Sequence, residues 1–141
     1  MITILLADDS DAIRQAYRFI LEDNERAYRI EEARTQREAV QHLRNSAEPL
    51  VVLLDAVMLP DGANLFTTLA AEPHLLDRHY IIITTTKEHL NLPPELLERA
   101  LPVLMKPFDL EDFSRLIDAG EAQLEQQATA LILQPVCAGR E

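Results

Sequence analysis

Short apolar runs alternate along the chain with segments whose apolar residues recur every three or four positions. The runs Ile2 to Ala7, Tyr28 to Ala33, Leu50 to Leu54, Tyr80 to Thr84 and Val103 to Met105 read as strands. Continuous apolar character, as in Leu50-Val51-Val52-Leu53-Leu54, suits strands covered on both faces. Between them, Ile13, Ala16, Tyr17, Ile20 and Leu21 form one helical stripe, and Ala39, Val40 and Leu43 a second. Leu65, Phe66 and Leu69 mark a third helix, and Leu96, Leu97 and Ala100 a fourth that opens at Pro93 or Pro94. The fifth runs from Asp109 through Phe113, Leu116, Ile117 and Leu124. Five βα pairs predict an α/β protein with a five-stranded parallel sheet, doubly wound.

In such a sheet the chemistry lies at the carboxyl ends of the strands, near the point where strand order reverses. There the sequence offers Asp8-Asp9-Ser10-Asp11, Asp55, Thr84-Thr85-Thr86 and Lys106-Pro107-Phe108. Asp8, Asp9 and Ser10 also have the character of a helix cap, and Asp11 that of a first-turn acid. Asp55 is different, because an acid that ends an apolar strand is desolvated or functional. Three acids on one edge repel one another unless a hard cation such as Mg²⁺, or Lys106, balances them. A site of this kind suits phosphoryl transfer: a carboxylate attacks phosphorus while a metal, a lysine and a hydroxyl hold the oxygens.

Length and composition narrow the setting. The 141 residues suit one domain, and the formal charge of −11 argues against direct binding to nucleic acid or an anionic membrane. Cys137 alone supplies neither a disulfide nor a cysteine zinc site. His42, His74, His79 and His89 share no metal-ligand spacing and are expected to be solvated. The start MITILLADDS has no secretory leader character, so a cytoplasmic protein is expected.

Taken in order, Asp8-Asp9, Asp55, Thr84 and Lys106-Pro107 resemble the receiver domain of bacterial response regulators, over about residues 1–128. The resemblance implies a flavodoxin-like fold and a phosphorylation-controlled signalling module of a two-component system, not an enzyme. It implies that Asp55 is the phosphoacceptor, with Mg²⁺ held by Asp8 (through water), Asp9, Asp55 and the backbone carbonyl of Val57. It further implies that Thr84 moves to the phosphoryl group, that Lys106 pairs with Asp55, and that the bond before Pro107 is cis. The implied partners are a histidine kinase or phosphotransfer protein and a downstream protein.

The pattern departs from the family at several places. Proline follows the acceptor by five residues, at Pro60, where four is usual, so the choice of Val57 as the carbonyl ligand stays open. The 22-residue step to Lys106 favours Thr84 over Thr85. Val103 occupies the position of the usual aromatic residue, and Ala100-Leu101-Pro102 that of a glycine-containing turn. Two other readings stand beside the first: a receiver-like scaffold that no longer uses phosphorylation, and a Mg²⁺-dependent phosphatase of the haloacid dehalogenase type with Asp9 as nucleophile. Residues 129–141 extend the last helix and form a tail, and the apolar Leu131-Ile132-Leu133 makes a homodimer or partner contact there an expectation. Lacking a visible effector domain, the chain is expected to act alone, as a relay intermediate, or within a larger assembly.

Overall fold

A computed structural model describes residues 2–23, 27–58, 64–86 and 92–133. The strands are β1 (Ile2–Ala7), β2 (Tyr28–Ala33), β3 (Leu50–Asp55), β4 (Tyr80–Thr85) and β5 (Val103–Met105). The helices are α1 (Asp11–Glu22), α2 (Gln36–Asn45), α3 (Leu65–Ala71), α4 (Pro73–Arg78), α5 (Pro94–Leu97) and α6 (Leu110–Leu133). All strand pairs are parallel, in the order β2-β1-β3-β4-β5, so the chain reverses direction across the sheet between β1 and β3. This is the flavodoxin-like, doubly wound arrangement that the repeated βα pattern predicts.

Strand alternation divides the core in two. Leu5, Ala7, Val52, Leu54 and Ile81 face α2 to α5, where they meet Val40, Leu43, Leu65, Leu69, Leu75 and Leu96. Ile4, Leu6, Val51, Leu53, Ile82 and Leu104 face α1 and α6, where they meet Tyr17, Leu21, Phe113 and Ile117.

Local sequence sets the helix ends. Ser10, Thr35 and Asn64 each accept a hydrogen bond from the amide three residues on, at 3.3, 3.1 and 3.0 Å, and cap α1, α2 and α3. Pro73 opens α4 at a position where its missing N–H is harmless. The sequence pattern predicts one helix between β3 and β4, and the described residues there form two, because α3 ends at Glu72 and α4 starts directly after it at Pro73. In α1 the buried positions are Arg14, Tyr17 and Leu21, and Ala16 is exposed, contrary to its place in the predicted stripe. Likewise α5 is a four-residue segment in which only Leu96 points inward, while Leu97 and Ala100 are exposed.

The histidine expectation also needs correction. His79 is buried: its Nδ1 accepts from the Leu50 amide at 2.9 Å and its Nε2 donates to the Leu43 carbonyl at 2.9 Å. It thereby ties the end of α2 to the starts of β3 and β4. His42 pairs with Glu31 at 3.1 Å, His74 is exposed, and His89 lies outside the described residues.

Twenty-four residues give α6 a length of about 36 Å. Gly120 lets it lie close to the sheet, since a β-carbon there would stand 2.7 Å from the Tyr80 ring and 3.0 Å from Val51.

Candidate functional site

The alternation that places Ile4 and Leu6 on the α1/α6 face carries Asp8 to that face just beyond β1. By the same parity Asp55 follows Val51 and Leu53, Thr84 follows Ile82, and Lys106 follows Leu104. Four polar groups therefore meet at one corner of the sheet. Thr85 has the opposite parity. Asp55 and Thr84 are register partners across β3 and β4, and the Ala56 amide donates to the Thr84 carbonyl at 2.9 Å.

Asp8 is 1% exposed and Asp55 6%, while Asp9 is exposed at the rim. Carboxylate oxygens of the three lie within 4.8 Å of one another. Ser10, not the acids, caps α1, which frees Asp8 and Asp9 from the capping role that the sequence also allows them. Asp8 Oδ1 accepts from the Ser10 amide at 2.9 Å, and its Oδ2 accepts from Lys106 Nζ at 3.0 Å. Asp55 Oδ1 accepts from the Val57 amide at 3.2 Å and lies 3.7 Å from Lys106 Nζ. Lys106 thus forms the expected ion pair with Asp55, and its shorter hydrogen bond goes to Asp8. The Ser10 amide turns the second Asp8 oxygen toward the ammonium, leaving Asp55 as its longer ionic contact.

Burial raises the Asp55 pKa above the ordinary carboxylate value; the Val57 amide opposes this, Asp8 adds to it, Lys106 opposes it and Asp9 adds to it. The metal-free pocket therefore disfavours the charge it holds. A divalent cation bound to oxygens would relieve that, and the donor set of two buried acids and one rim acid suits such an ion. Val57 is half exposed in the turn directly after Asp55, at the mouth of the cluster.

The peptide bond between Lys106 and Pro107 is cis, as expected, and the Lys106 amide donates to the Thr85 carbonyl at 2.7 Å. The extra residue expected in the loop after Asp55 falls at positions 59–63, outside the described residues. On the near side of that loop, Gln36 Nε2 donates to the Met58 carbonyl at 2.7 Å; on the far side, Gln36 Oε1 accepts from the Leu65 amide at 2.8 Å.

Two supporting residues escape the sequence reading: Arg14 and Gln36. Arg14 is buried, donates to the Asp8 carbonyl at 2.6 Å and to Glu32 at 2.7 Å, and pairs with Asp11. It anchors the backbone that presents Asp8 and Asp9. An arginine spaced for the helix interior, with Glu32 at the end of the next strand, is the only signal that the sequence carries for it.

The model of the response regulator receiver domain matches residues 4–118. The chain belongs to that family. Among solved structures, it is similar to the receiver domain protein of Methanospirillum hungatei JF-1, at 25% identity and a TM-score of 0.66, over 87% of this chain and 94% of that one. It is similar to the Vibrio cholerae chemotaxis protein CheY4 at 25% identity and a TM-score of 0.63, over 85% and 98%. The signal receiver domain of an HD domain-containing protein from Pseudomonas fluorescens Pf-5 shares the fold at 21% identity and a TM-score of 0.72, over 89% and 98%. No curated protein matches the chain. Membership in the receiver family makes this a domain of two-component signalling and sets aside the haloacid dehalogenase alternative. No helix among the described residues is long and apolar enough to cross a membrane.

Proposed function

We propose that this receiver domain takes a phosphoryl group onto Asp55 from a phosphohistidine of a histidine kinase or phosphotransfer protein, and signals through protein contacts. The observation that supports it is the buried Asp55 carboxylate within the three-acid cluster, beside Lys106 and level with Thr84. The Val57 amide and Lys106 both address Oδ1, which leaves the other Asp55 oxygen to attack phosphorus. The new O–P bond forms as the N–P bond of the donor breaks, and the departing imidazole takes up a proton. Lys106 offsets the growing negative charge, and the Thr84 hydroxyl donates to a phosphoryl oxygen. Asp8, Asp9, Asp55 and the Val57 carbonyl would hold Mg²⁺, which supplies charge neutralisation when bound. Arg14 and Ser10 keep Asp8 and Asp9 in place throughout.

On this reading the domain is a phosphoacceptor, not an enzyme turning over a soluble substrate, and works in the cytoplasm. Acetyl phosphate should add one phosphoryl mass to the intact chain only with Mg²⁺ present, and Asp55→Asn should abolish the adduct. Equal labelling of that variant would move the acceptor elsewhere; no labelling of the wild type would favour the scaffold reading. Self-association through the end of α6 belongs to the same proposal. Deleting residues 129–141 should lower the mass seen by light scattering and leave phosphorylation intact; an unchanged mass would remove that contact.

A further inference from the structure

Tyr17 has no part in the chemistry described so far. It is 1% exposed, and its ring stacks on Phe108 and Phe113, with centroids 5.9 and 5.7 Å away. Those two rings are themselves 5.3 Å apart, so the three form a closed stack that fixes the direction of the phenol. The hydroxyl at its end is buried and has no hydrogen-bond partner among the described residues. Buried polar atoms almost always find a partner, and a buried tyrosine hydroxyl left without one points to a state in which it has one.

The polar groups that act on this hydroxyl are Thr84, Asp8 and Asp55. Burial, offset by Thr84 and reinforced by the two carboxylates, pushes the phenol pKa up to about 12, so it remains a donor at neutral pH. Asp8 accepts on both oxygens, from the Ser10 amide and Lys106, and the Asp55 oxygen not addressed by the Val57 amide and Lys106 is the one that takes the phosphoryl group. Thr84, 1% exposed, is the remaining neighbour, near enough to act on the phenol but outside hydrogen-bond geometry.

Hydroxyl chemistry makes the two groups complementary once Asp55 is phosphorylated. A threonine hydroxyl has one hydrogen and two lone pairs. When its hydrogen goes to a phosphoryl oxygen, Thr84 Oγ1 can only accept, and the Tyr17 hydroxyl is a donor seeking an acceptor. We propose that Tyr17 is a positioning residue for Thr84, donating to Thr84 Oγ1 in the phosphorylated domain and so directing the threonine's hydrogen at the phosphoryl group. The proposal rests on Asp55 as phosphoacceptor. Tyr17→Phe removes a single atom and keeps the aromatic stack.

The test compares wild type, Tyr17→Phe, Thr84→Ala and the double variant by intact mass, with acetyl phosphate and Mg²⁺. Tyr17→Phe should lower the ratio of phosphorylated to free protein by about fivefold, the equivalent of one neutral hydrogen bond. In the Thr84→Ala background the same change should have no further effect, and Thr84→Ser should restore it. In urea without Mg²⁺ or phosphate, Tyr17→Phe should unfold at the same or a higher midpoint, because its hydroxyl is unpaired there. An unchanged ratio in labelled Tyr17→Phe, an equal factor in both threonine backgrounds, or a lowered urea midpoint would each overturn the role of Tyr17 alone. A wild-type chain that takes no phosphoryl group would overturn the Asp55 reading, and this proposal with it.

Discussion

Replacing Asp55 by Asn keeps the shape of the side chain and an acceptor for the Val57 amide while removing one charge from the pocket. Carboxylate oxygens 4.8 Å apart repel by about 3.5 kcal/mol at an effective dielectric of about 20, and Lys106 at 3.7 Å returns about 4.5 kcal/mol to Asp55. The lysine is shared with Asp8, which holds its hydrogen bond. Repulsion from Asp8 and the more screened Asp9, added to the burial of Asp55, outweighs that single attraction. Asp55→Asn should therefore stabilise the metal-free domain, by about 1–3 kcal/mol at neutral pH. The sign has a pH signature. Because the folded-state pKa of Asp55 is raised, its penalty is absent below the unfolded value of about 3.9 and builds as pH rises through the folded value. The gap between variant and wild type in urea unfolding with EDTA should be widest near neutral pH and close toward about pH 4. Mg²⁺ should narrow it by stabilising the wild type more than the variant. A variant less stable than wild type in EDTA, or a gain independent of pH, would refute the account of a strained acidic pocket.

Four further outcomes follow from other parts of the molecule. Gly120→Ala improves helix propensity by about 1 kcal/mol but drives a methyl into the Tyr80 ring, so thermal unfolding should show net destabilisation of about 1–2 kcal/mol. Ala100 has φ of 50°, where a β-carbon is strained, and Ala100→Gly should raise stability by about 0.5–1 kcal/mol in the same assay. Burial lowers the His79 pKa, the Leu43 carbonyl opposing and Arg78 assisting, so stability should fall as pH drops through the unfolded value of about 6.5; His79→Ala should lose about 2–4 kcal/mol and that acid slope together, through the orphaned Leu50 amide and Leu43 carbonyl. Val57 and Thr86 stand two residues beyond Asp55 and Thr84, and a valine cannot orient a water molecule, so the aspartyl phosphate should be long-lived in an intact-mass time course, with loss within seconds refuting the assignment.

The strands and the acidic corner were legible in the sequence for a simple reason. A strand has period two, and buried parallel strands are nearly continuous apolar runs, so the residue that ends each run has a defined face. Asp8, Asp55, Thr84 and Lys106 sit where that parity puts them. What the pattern could not reveal was how polar groups are satisfied inside. Arg14 draws no reading and His79 is expected to be solvated, because nothing local in the sequence states that a carbonyl of Asp8 or the ends of α2 and β3 wait for them. The extra helix α4 was missed because six residues show too little period against the neighbouring stripe, although Pro73 is a helix-start signal. Leu97 was assigned inward from a stripe that the four residues of α5 are too short to carry through.

The departures from the family pattern bear on how a change at Asp55 would leave the site. On β5, Leu104 is buried while Val103 and Met105 on either side are exposed, so this strand presents two aliphatic side chains and no ring where the family usually has one. A valine has neither the reach nor a hydroxyl to follow a movement of Thr84. On the opposite side of the same threonine stands Tyr17, in a stack with Phe108 and Phe113. Phe108 directly follows the Lys106-Pro107 peptide, and Phe113 belongs to the first turn of α6. A hydrogen bond gained by Tyr17 would therefore act on α1, on the segment carrying Lys106 and on the start of α6, and only weakly on β5. If the Tyr17 proposal holds, the surface that changes on phosphorylation is the α1/α6 face. Hydrogen exchange with and without acetyl phosphate would decide it: altered protection in α1 and the first turns of α6 is expected, and a change confined to β5 and α5 would place the readout on the side that Val103 faces.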